Sequence, residues 1–173
     1  MPELLLRPLE NDDIQPIAAA FAAMGWNKPA AQYQAYLQEQ QAGARDVVVA
    51  AWEGVFAGYV TICWQSSYPL FREANIPEIV DLNVLPQFRR RGIASALMDA
   101  AEERIACVSK VVGIGVGMTA DYGAAQRMYA RRGYIPDGRG LASSGRPLVY
   151  GDHVRVDDDL CLYFTRPAWP ALG

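Results

Sequence analysis

The stretch Val84-Leu85-Pro86-Gln87-Phe88-Arg89-Arg90-Arg91-Gly92-Ile93-Ala94 decides how the rest of the chain is read. An apolar, β-prone run precedes it, Ile79-Val80-Asp81-Leu82-Asn83-Val84, and a helical pattern follows from Ile93 through Ile105. A strand that feeds a helix through such a turn aims unpaired backbone N–H groups outward at the helix start. The helix dipole adds partial positive charge there, and Arg89, Arg90 and Arg91 add full charges. Gly92 has no Cβ, so a phosphate can approach the backbone. The plainer alternative is a solvated turn whose arginines merely oppose the dipole. The turn is a candidate site for a phosphorylated ligand.

Downstream, Ile93, Leu97, Ala100, Ala101 and Ile105 share one side of the helix, and Glu102, Glu103 and Arg104 form its wet end. Lys110 to Met118 reads as a strand. Its glycines, Gly113, Gly115 and Gly117, alternate with apolar residues and so fall on one face. That bare face admits two readings: close helix packing, or room for a ligand arm. Gly123 to Arg132 reads as a helix with Ala125, Met128 and Tyr129 inward; Gly133 stops it and Tyr134-Ile135 opens a strand. Gly138 to Asp152 reads as a loop. Val154 to Thr165 reads as a last strand interrupted by Asp157-Asp158-Asp159, and residues 166–173 as a short tail.

Upstream, Glu3 to Pro8 reads as a first strand. Asn11-Asp12-Asp13 offers a cap and first-turn acids to a helix carrying Ile14, Ile17, Ala18, Phe21 and Met24, which Gly25 ends. Asn27 caps a second helix with Pro29 near its start. Tyr33, Tyr36 and Leu37 form its core face, with lining of an acceptor pocket by Trp26, Tyr33 and Tyr36 as the sharper alternative. Asp46 to Trp52 and Val55 to Trp64 flank a Glu53-Gly54 hairpin turn, and Gly58 marks a bulge or a close approach. Residues 65–77 read as a loop with a helical turn, placed to cover an acceptor. The order βααββ, βαβα, ββ predicts an α/β architecture with a mixed sheet and helices on both faces, in one domain over residues 1–173.

The 173 residues are 51% hydrophobic and carry a net charge of −3, so bulk electrostatics gives no reason to expect a nucleic-acid partner. Cys63, Cys107 and Cys161 show neither metal nor disulfide spacing, and buried free thiols are the expectation. His153 is the single histidine, in a Gly/Pro-rich loop, which argues against a histidine-rich metal site or a Ser-His-Asp triad. No signal peptide and no long apolar span are seen, so the expectation is a cytoplasmic protein with no membrane partner.

Arg89-Arg90-Arg91-Gly92-Ile93-Ala94 fits the pattern Gln/Arg-x-x-Gly-x-Gly/Ala preceded by Val-x-Pro. It is neither a Walker loop, since no Gly-Lys-Ser/Thr follows, nor a Gly-x-Gly-x-x-Gly fingerprint. It resembles the acetyl-coenzyme A (acetyl-CoA) signature of the GNAT superfamily of N-acetyltransferases. Ala124-Ala125-Gln126-Arg127-Met128-Tyr129-Ala130-Arg131-Arg132-Gly133-Tyr134 resembles that family's second hallmark, through Tyr129, Gly133 and Tyr134. Two positions depart from the family: Tyr122 stands where Asn is common, and Arg90 where many members have Gly. The resemblance spans most of residues 46–135.

The resemblance implies a GNAT-like fold, acetyl-CoA as cosubstrate, no metal, and direct transfer to a primary amine on a small molecule or peptide. It implies that the backbone of Leu82 and Val84 meets the pantetheine arm, and that Arg89, Arg90, Arg91, Gly92, Ile93 and Ala94 cradle the pyrophosphate. Glu78 aligns with the base of histone-acetyltransferase-like members. Asp81 is the alternative base, on the opposite strand face unless a bulge intervenes. The Val84 N–H is the candidate oxyanion donor. Tyr129 resembles the general acid; with a phenol pKa of about 10 against about 8.5 for a thiol, a hydrogen bond to the departing thiolate outweighs full proton transfer. The plainer readings are a strand-end carboxylate in water for Glu78 and a core aromatic for Tyr129. Glu73, Glu78, Asp81 and the Asp157-Asp158-Asp159 run would attract a cationic acceptor. Alternatives are a CoA-binding sensor or interaction module without transfer, and transfer of a longer acyl group admitted by the bare glycine face. Many relatives pair, which leaves a homodimer open.

Overall fold

The computed structural model describes residues 1–168. The elements are β1 (Leu4–Pro8), α1 (Ile14–Ala22), α2 (Ala30–Gln41), β2 (Arg45–Trp52), β3 (Val55–Cys63), α3 (Pro69–Glu73), β4 (Glu78–Val84), α4 (Ile93–Ala106), β5 (Val111–Gly117), α5 (Gly123–Arg131), β6 (Ile135–Ser143), β7 (Arg146–Pro147) and β8 (Leu160–Pro167). The strands form an eight-stranded mixed sheet in the order β1-β2-β3-β4-β5-β8-β6-β7. The α/β architecture is the one expected, with one short helix and one short strand more. The chain divides into two compact units, Met1–Trp64 with Asp81–Ala101, and Gln65–Val80 with the chain from Glu102 onward.

In the first unit β1 pairs antiparallel with β2, and β2 with β3. Glu53 and Gly54 join β2 to β3 with φ of 50° and 79°, the paired positive angles that match a two-residue turn to strand twist. The β2–β3 register slips between Ala50 and Ala51, opposite Gly58. A Cβ at Gly58 would collide with the carbonyl oxygen of Asn83, so the bulge and the close approach expected there are both present. Leu9, Ile14, Ile17, Phe21, Tyr33, Val47, Val49, Tyr59 and Leu85 make one buried hydrophobic cluster of this unit. Pro29, not Asn27, holds the position before α2. Asp13 reaches back to the Glu10 N–H at 2.8 Å and takes a bidentate pair from Arg7 at 2.7 Å.

In the second unit β4 runs parallel to β5, registered at Glu78–Gly113 and Ile79–Ile114; a parallel pair needs a long crossover, and α4 lies on it. Antiparallel to β5 runs β8, which also pairs with β6. Three expectations are corrected here. The Gly/Ser/Pro-rich segment read as a loop carries β6 through Ser143, then the Ser144-Gly145 turn and β7. Gly138 and Gly140 sit at φ 82° and 75° inside the β6 register shift, so pairing with β8 on either side overrides a composition that spoke for a loop. The final strand starts at Leu160 rather than Val154, because Asp157 turns the chain by accepting the Asp159 N–H at 3.0 Å. Arg166 and Pro167 belong to this strand; the end of the expected tail, 169–173, lies outside the described residues.

The cysteine expectation also changes: Cys107 is exposed past α4, and Cys63 and Cys161 are half-buried; none of the three is in a disulfide. Glu102 ties the second unit together. Its carboxylate accepts from Arg132 at 3.0 and 2.6 Å, from Arg166 at 2.9 Å and from the Tyr134 hydroxyl at 2.9 Å.

Gly58→Ala should destabilise the protein by about 1–3 kcal/mol, because the obstacle is backbone and cannot swing aside. Urea denaturation followed by circular dichroism measures it.

Candidate active site

The arginine turn contains a single 3-10 turn, Pro86–Phe88, and then enters α4. Arg90 and Gly92 adopt φ of 60° and 77°. The left-handed angle at Arg90 explains why glycine is common at this position in the family pattern: a Cβ is strained there. The first intrahelical bond runs from Ala96 N to Gly92 O at 3.0 Å, which leaves the amides of Ile93, Ala94 and Ser95 without an intrahelical acceptor. The Arg91 guanidinium lies 5.2 Å from the Trp52 ring and 6.0 Å from the Phe88 ring, a cation–π seat. Arg89 and Arg90 are exposed and make no ion pair among the described residues. Free amides and free guanidinium groups thus share one turn, the chemistry a diphosphate needs.

Just upstream, Leu85 N donates to Ala57 O at 2.9 Å. Backbone groups alternate along a strand, so those of Leu82 and Val84 face away from β3. Asp81 interrupts the pleat, with φ of 59°. Its carboxylate accepts from Lys28 at 2.8 Å, Asn83 at 2.7 Å, Tyr59 at 2.5 Å, Tyr36 at 3.0 Å and Gln32 at 3.2 Å. Burial alone would push this carboxyl up, but the Lys28 ammonium and the hydroxyl donors outweigh it and hold Asp81 below the usual carboxylate range. A carboxylate held ionised by these donors is a poor proton acceptor, although the left-handed φ at Asp81 does break the alternation that counted against it. Tyr33 is fully buried and Tyr36 partly so, while Trp26 stacks on Phe21 at 5.7 Å.

Glu78 and Tyr129 belong to the second unit. Glu78 is 7% exposed, so it is not the watery strand-end carboxylate of the plainer reading. The Ser66 hydroxyl donates to its Oε2, and the Tyr68 N–H donates to Ser66 Oγ at 3.0 Å. Tyr129 is buried on α5, its ring 5.9 Å from that of Tyr134. Gly133, at φ 87°, ends the helix and lets Tyr134 N bond Tyr129 O at 3.0 Å. The Tyr129 hydroxyl has no hydrogen-bond partner among the described residues, and burial pushes its pKa up to about 12.

The glycine face of β5 is filled. Cβ atoms at Gly113, Gly115 and Gly117 would strike the rings of Phe71, Tyr163 and Tyr122 respectively. Close helix packing accounts for Gly113, where Phe71 of α3 sits, while a β8 ring and the Tyr122 ring account for Gly115 and Gly117; no ligand arm is needed, and the reason to expect a longer acyl group falls with it. Tyr122, in place of the family's usual Asn, lays its ring against Gly117 and donates to Asp158 at 2.9 Å. Gln126 donates to Gly117 O at 2.8 Å. Ser66, Lys28, Tyr59 and Asn83 do not stand out in the sequence. Ser66 sits in an ordinary polar loop, Tyr59 passes for a strand aromatic, and nothing local points Lys28 or Asn83 at Asp81.

The model of the acetyltransferase (GNAT) family matches residues 11–134. The chain belongs to the GNAT acetyltransferase family. The match takes in Glu78, Leu82, Val84, the arginine turn and Tyr129 of this GNAT chain. No curated protein matches the sequence. Among solved structures, an N-acetyltransferase from Staphylococcus aureus Mu50 aligns with a TM-score of 0.69 at 16% identity, over 96% of this chain and 99% of that one. A chain from Salmonella typhimurium, solved with its cofactor acetyl-CoA, aligns at 0.67 and 15% identity, over 98% and 96%. A spermidine N-acetyltransferase chimera from Vibrio cholerae and hSSAT aligns at 0.67 and 15%, over 95% of each chain. At these identities the likeness carries the GNAT fold alone. Among the described residues no helix is long and apolar enough to cross a membrane.

Arg90→Gly should raise stability by about 0.5–1 kcal/mol, the relief at a left-handed residue exceeding the added freedom of the unfolded chain; a denaturant midpoint reads it. Asp81, lowered in the folded state, contributes stability that is present above its unfolded pKa of about 3.9 and lost as pH falls through the folded value. Asp81→Asn should therefore lower stability at neutral pH and flatten its decline below about pH 4, read from melts across pH.

Proposed function

We propose that the chain is an N-acetyltransferase that moves an acetyl group from acetyl-CoA directly to a primary amine. The reading rests on one observation above others: amides and unpaired guanidinium groups gathered where β4 runs into α4. Arg89, Arg90 and Arg91 with the amides of Gly92, Ile93 and Ala94 would hold the pyrophosphate, and the outward backbone of Leu82 and Val84 the pantetheine arm. Acetyl-CoA in the Salmonella relative supports the cosubstrate, and spermidine in the name of the chimera supports an amine acceptor. One family match through residues 11–134 draws on both compact units, which supports treating the chain as one domain.

The roles of single residues are carried over position by position from the family pattern. Glu78 accepts a proton from the acceptor ammonium, directly or through a water, and the freed nitrogen lone pair attacks the thioester carbonyl carbon. The Val84 N–H donates to the carbonyl oxygen as charge builds on it. The C=O bond re-forms as the C–S bond breaks, the proton still on the attacking nitrogen passes to the departing thiolate or to water, and the Tyr129 hydroxyl donates a hydrogen bond to that sulfur. A phenol near pKa 12 is a reluctant acid beside a thiol at about 8.5, so stabilising the thiolate is its main effect.

Tyr129→Phe should lower kcat about a hundredfold for any amine the enzyme turns over, with the Kd for acetyl-CoA unchanged by calorimetry. Undiminished turnover removes Tyr129 from the mechanism. A parent protein that takes up neither acetyl-CoA nor CoA overturns the whole reading.

A further inference from the structure

The segment ahead of β4 is a candidate cover for an acceptor, but its hydrogen bonds give it another task. Ser66 is 1% exposed and stands between two partners. Its hydroxyl donates to Glu78 Oε2, and its oxygen accepts the Tyr68 N–H at 3.0 Å. A serine hydroxyl owns one proton. Since the Tyr68 amide already supplies the hydrogen on its own side, the Ser66 proton is directed at the carboxylate. The orientation is fixed by the backbone, and the carboxylate can only accept. Hydrogen bonds of this kind favour the ionised form, the form a base must have before it takes a proton.

The Tyr68 amide is itself held in place. The Tyr68 ring stacks on Tyr163 with centroids 3.7 Å apart and planes 3° from parallel, and meets the edge of Phe71 at 4.9 Å. Its hydroxyl donates to Asp137 at 3.1 Å, and Pro69 begins α3 directly after it. From β8, Cys161 and Tyr163 feel the charge on Glu78. Burial first, and that charge second, push both up, Cys161 to about 11, so neither rivals the carboxylate as a proton acceptor near neutrality.

We propose that Ser66 is a positioning residue of the transfer reaction: anchored by the Tyr68 amide, it aims and keeps charged the Glu78 carboxylate that deprotonates the acceptor amine. This rests on Glu78 being the base, as set out above.

The test is a double-mutant cycle on the 173-residue chain with acetyl-CoA and, from a fixed panel of spermidine, lysine and a peptide with a free N-terminus, the amine that gives the fastest release of the CoA thiol. Ser66→Ala lowers kcat about tenfold, leaves KM for acetyl-CoA unchanged and moves the acid limb of the kcat profile to higher pH. Ser66→Cys, which keeps the volume but donates weakly, does the same, so the result does not hang on one variant folding. Ser66→Thr, which keeps the hydroxyl, recovers most of kcat even where crowding lowers its Tm. In a Glu78→Gln background Ser66→Ala has no further effect on kcat. The proposal is overturned if Ser66→Ala and Ser66→Cys leave kcat and the acid limb where they were. It is overturned equally if Ser66→Ala costs as much in the Glu78→Gln background as in the parent (a loss through packing alone). Full turnover by Glu78→Gln alone is a different outcome, and it sinks the assignment of the base instead.

Discussion

Five donors converge on the Asp81 carboxylate, and much of the first unit follows from that convergence. A non-glycine residue in the left-handed region costs about 1–2 kcal/mol. Charge-assisted hydrogen bonds from Lys28 and from tyrosine hydroxyls can offset such a cost several times over. Asp81 can therefore break the pleat in the middle of β4, while the residues after it resume alternation and Leu85 still bonds β3. Gly58 completes the arrangement from the neighbouring strand by leaving room for the Asn83 carbonyl. Strain and satisfaction meet at one residue, as expected of a backbone irregularity that its surroundings over-determine.

The second unit solves its packing in a different way. β5 gives up side chains at three alternate positions, and Phe71, Tyr163 and Tyr122 put their rings in the vacated volume. Glycine in a strand weakens it unless something approaches closely, and here the approach is aromatic. The same rings bring polar groups along: Tyr122 reaches Asp158, and Tyr163 stacks on the Tyr68 whose amide holds Ser66. Packing around the bare strand face thereby sets the surroundings of Glu78.

The sequence disclosed the architecture well wherever the signal was local. Hydrophobic periodicity gave α1, α4 and α5 within a few residues, Glu53-Gly54 gave the hairpin, and the arginine turn gave the entry to α4. It failed where long-range pairing decides: β6 runs through a glycine-rich segment because β8 lies beside it, and β8 waits until the Asp157 turn is complete. The site divides along the same line. The turn residues and Tyr129 sit in contiguous motifs and can be named from them. Lys28 and Tyr59, which lie 53 and 22 residues from Asp81, cannot, because their roles depend on distances that no local pattern encodes. The glycine face is plain in the sequence yet misleading, since alternation tells that a face is bare and not what lies on it.

The order of strands places β1 and β7 outermost. β7 is two residues long and ends in Pro147, and β1 ends in Pro8. A proline offers no amide hydrogen, and two residues make hardly a rung, so both margins are poor templates for a further chain. Growth by continuing the ladder, the route to fibrils and to sheet-extended dimers, is discouraged at either end.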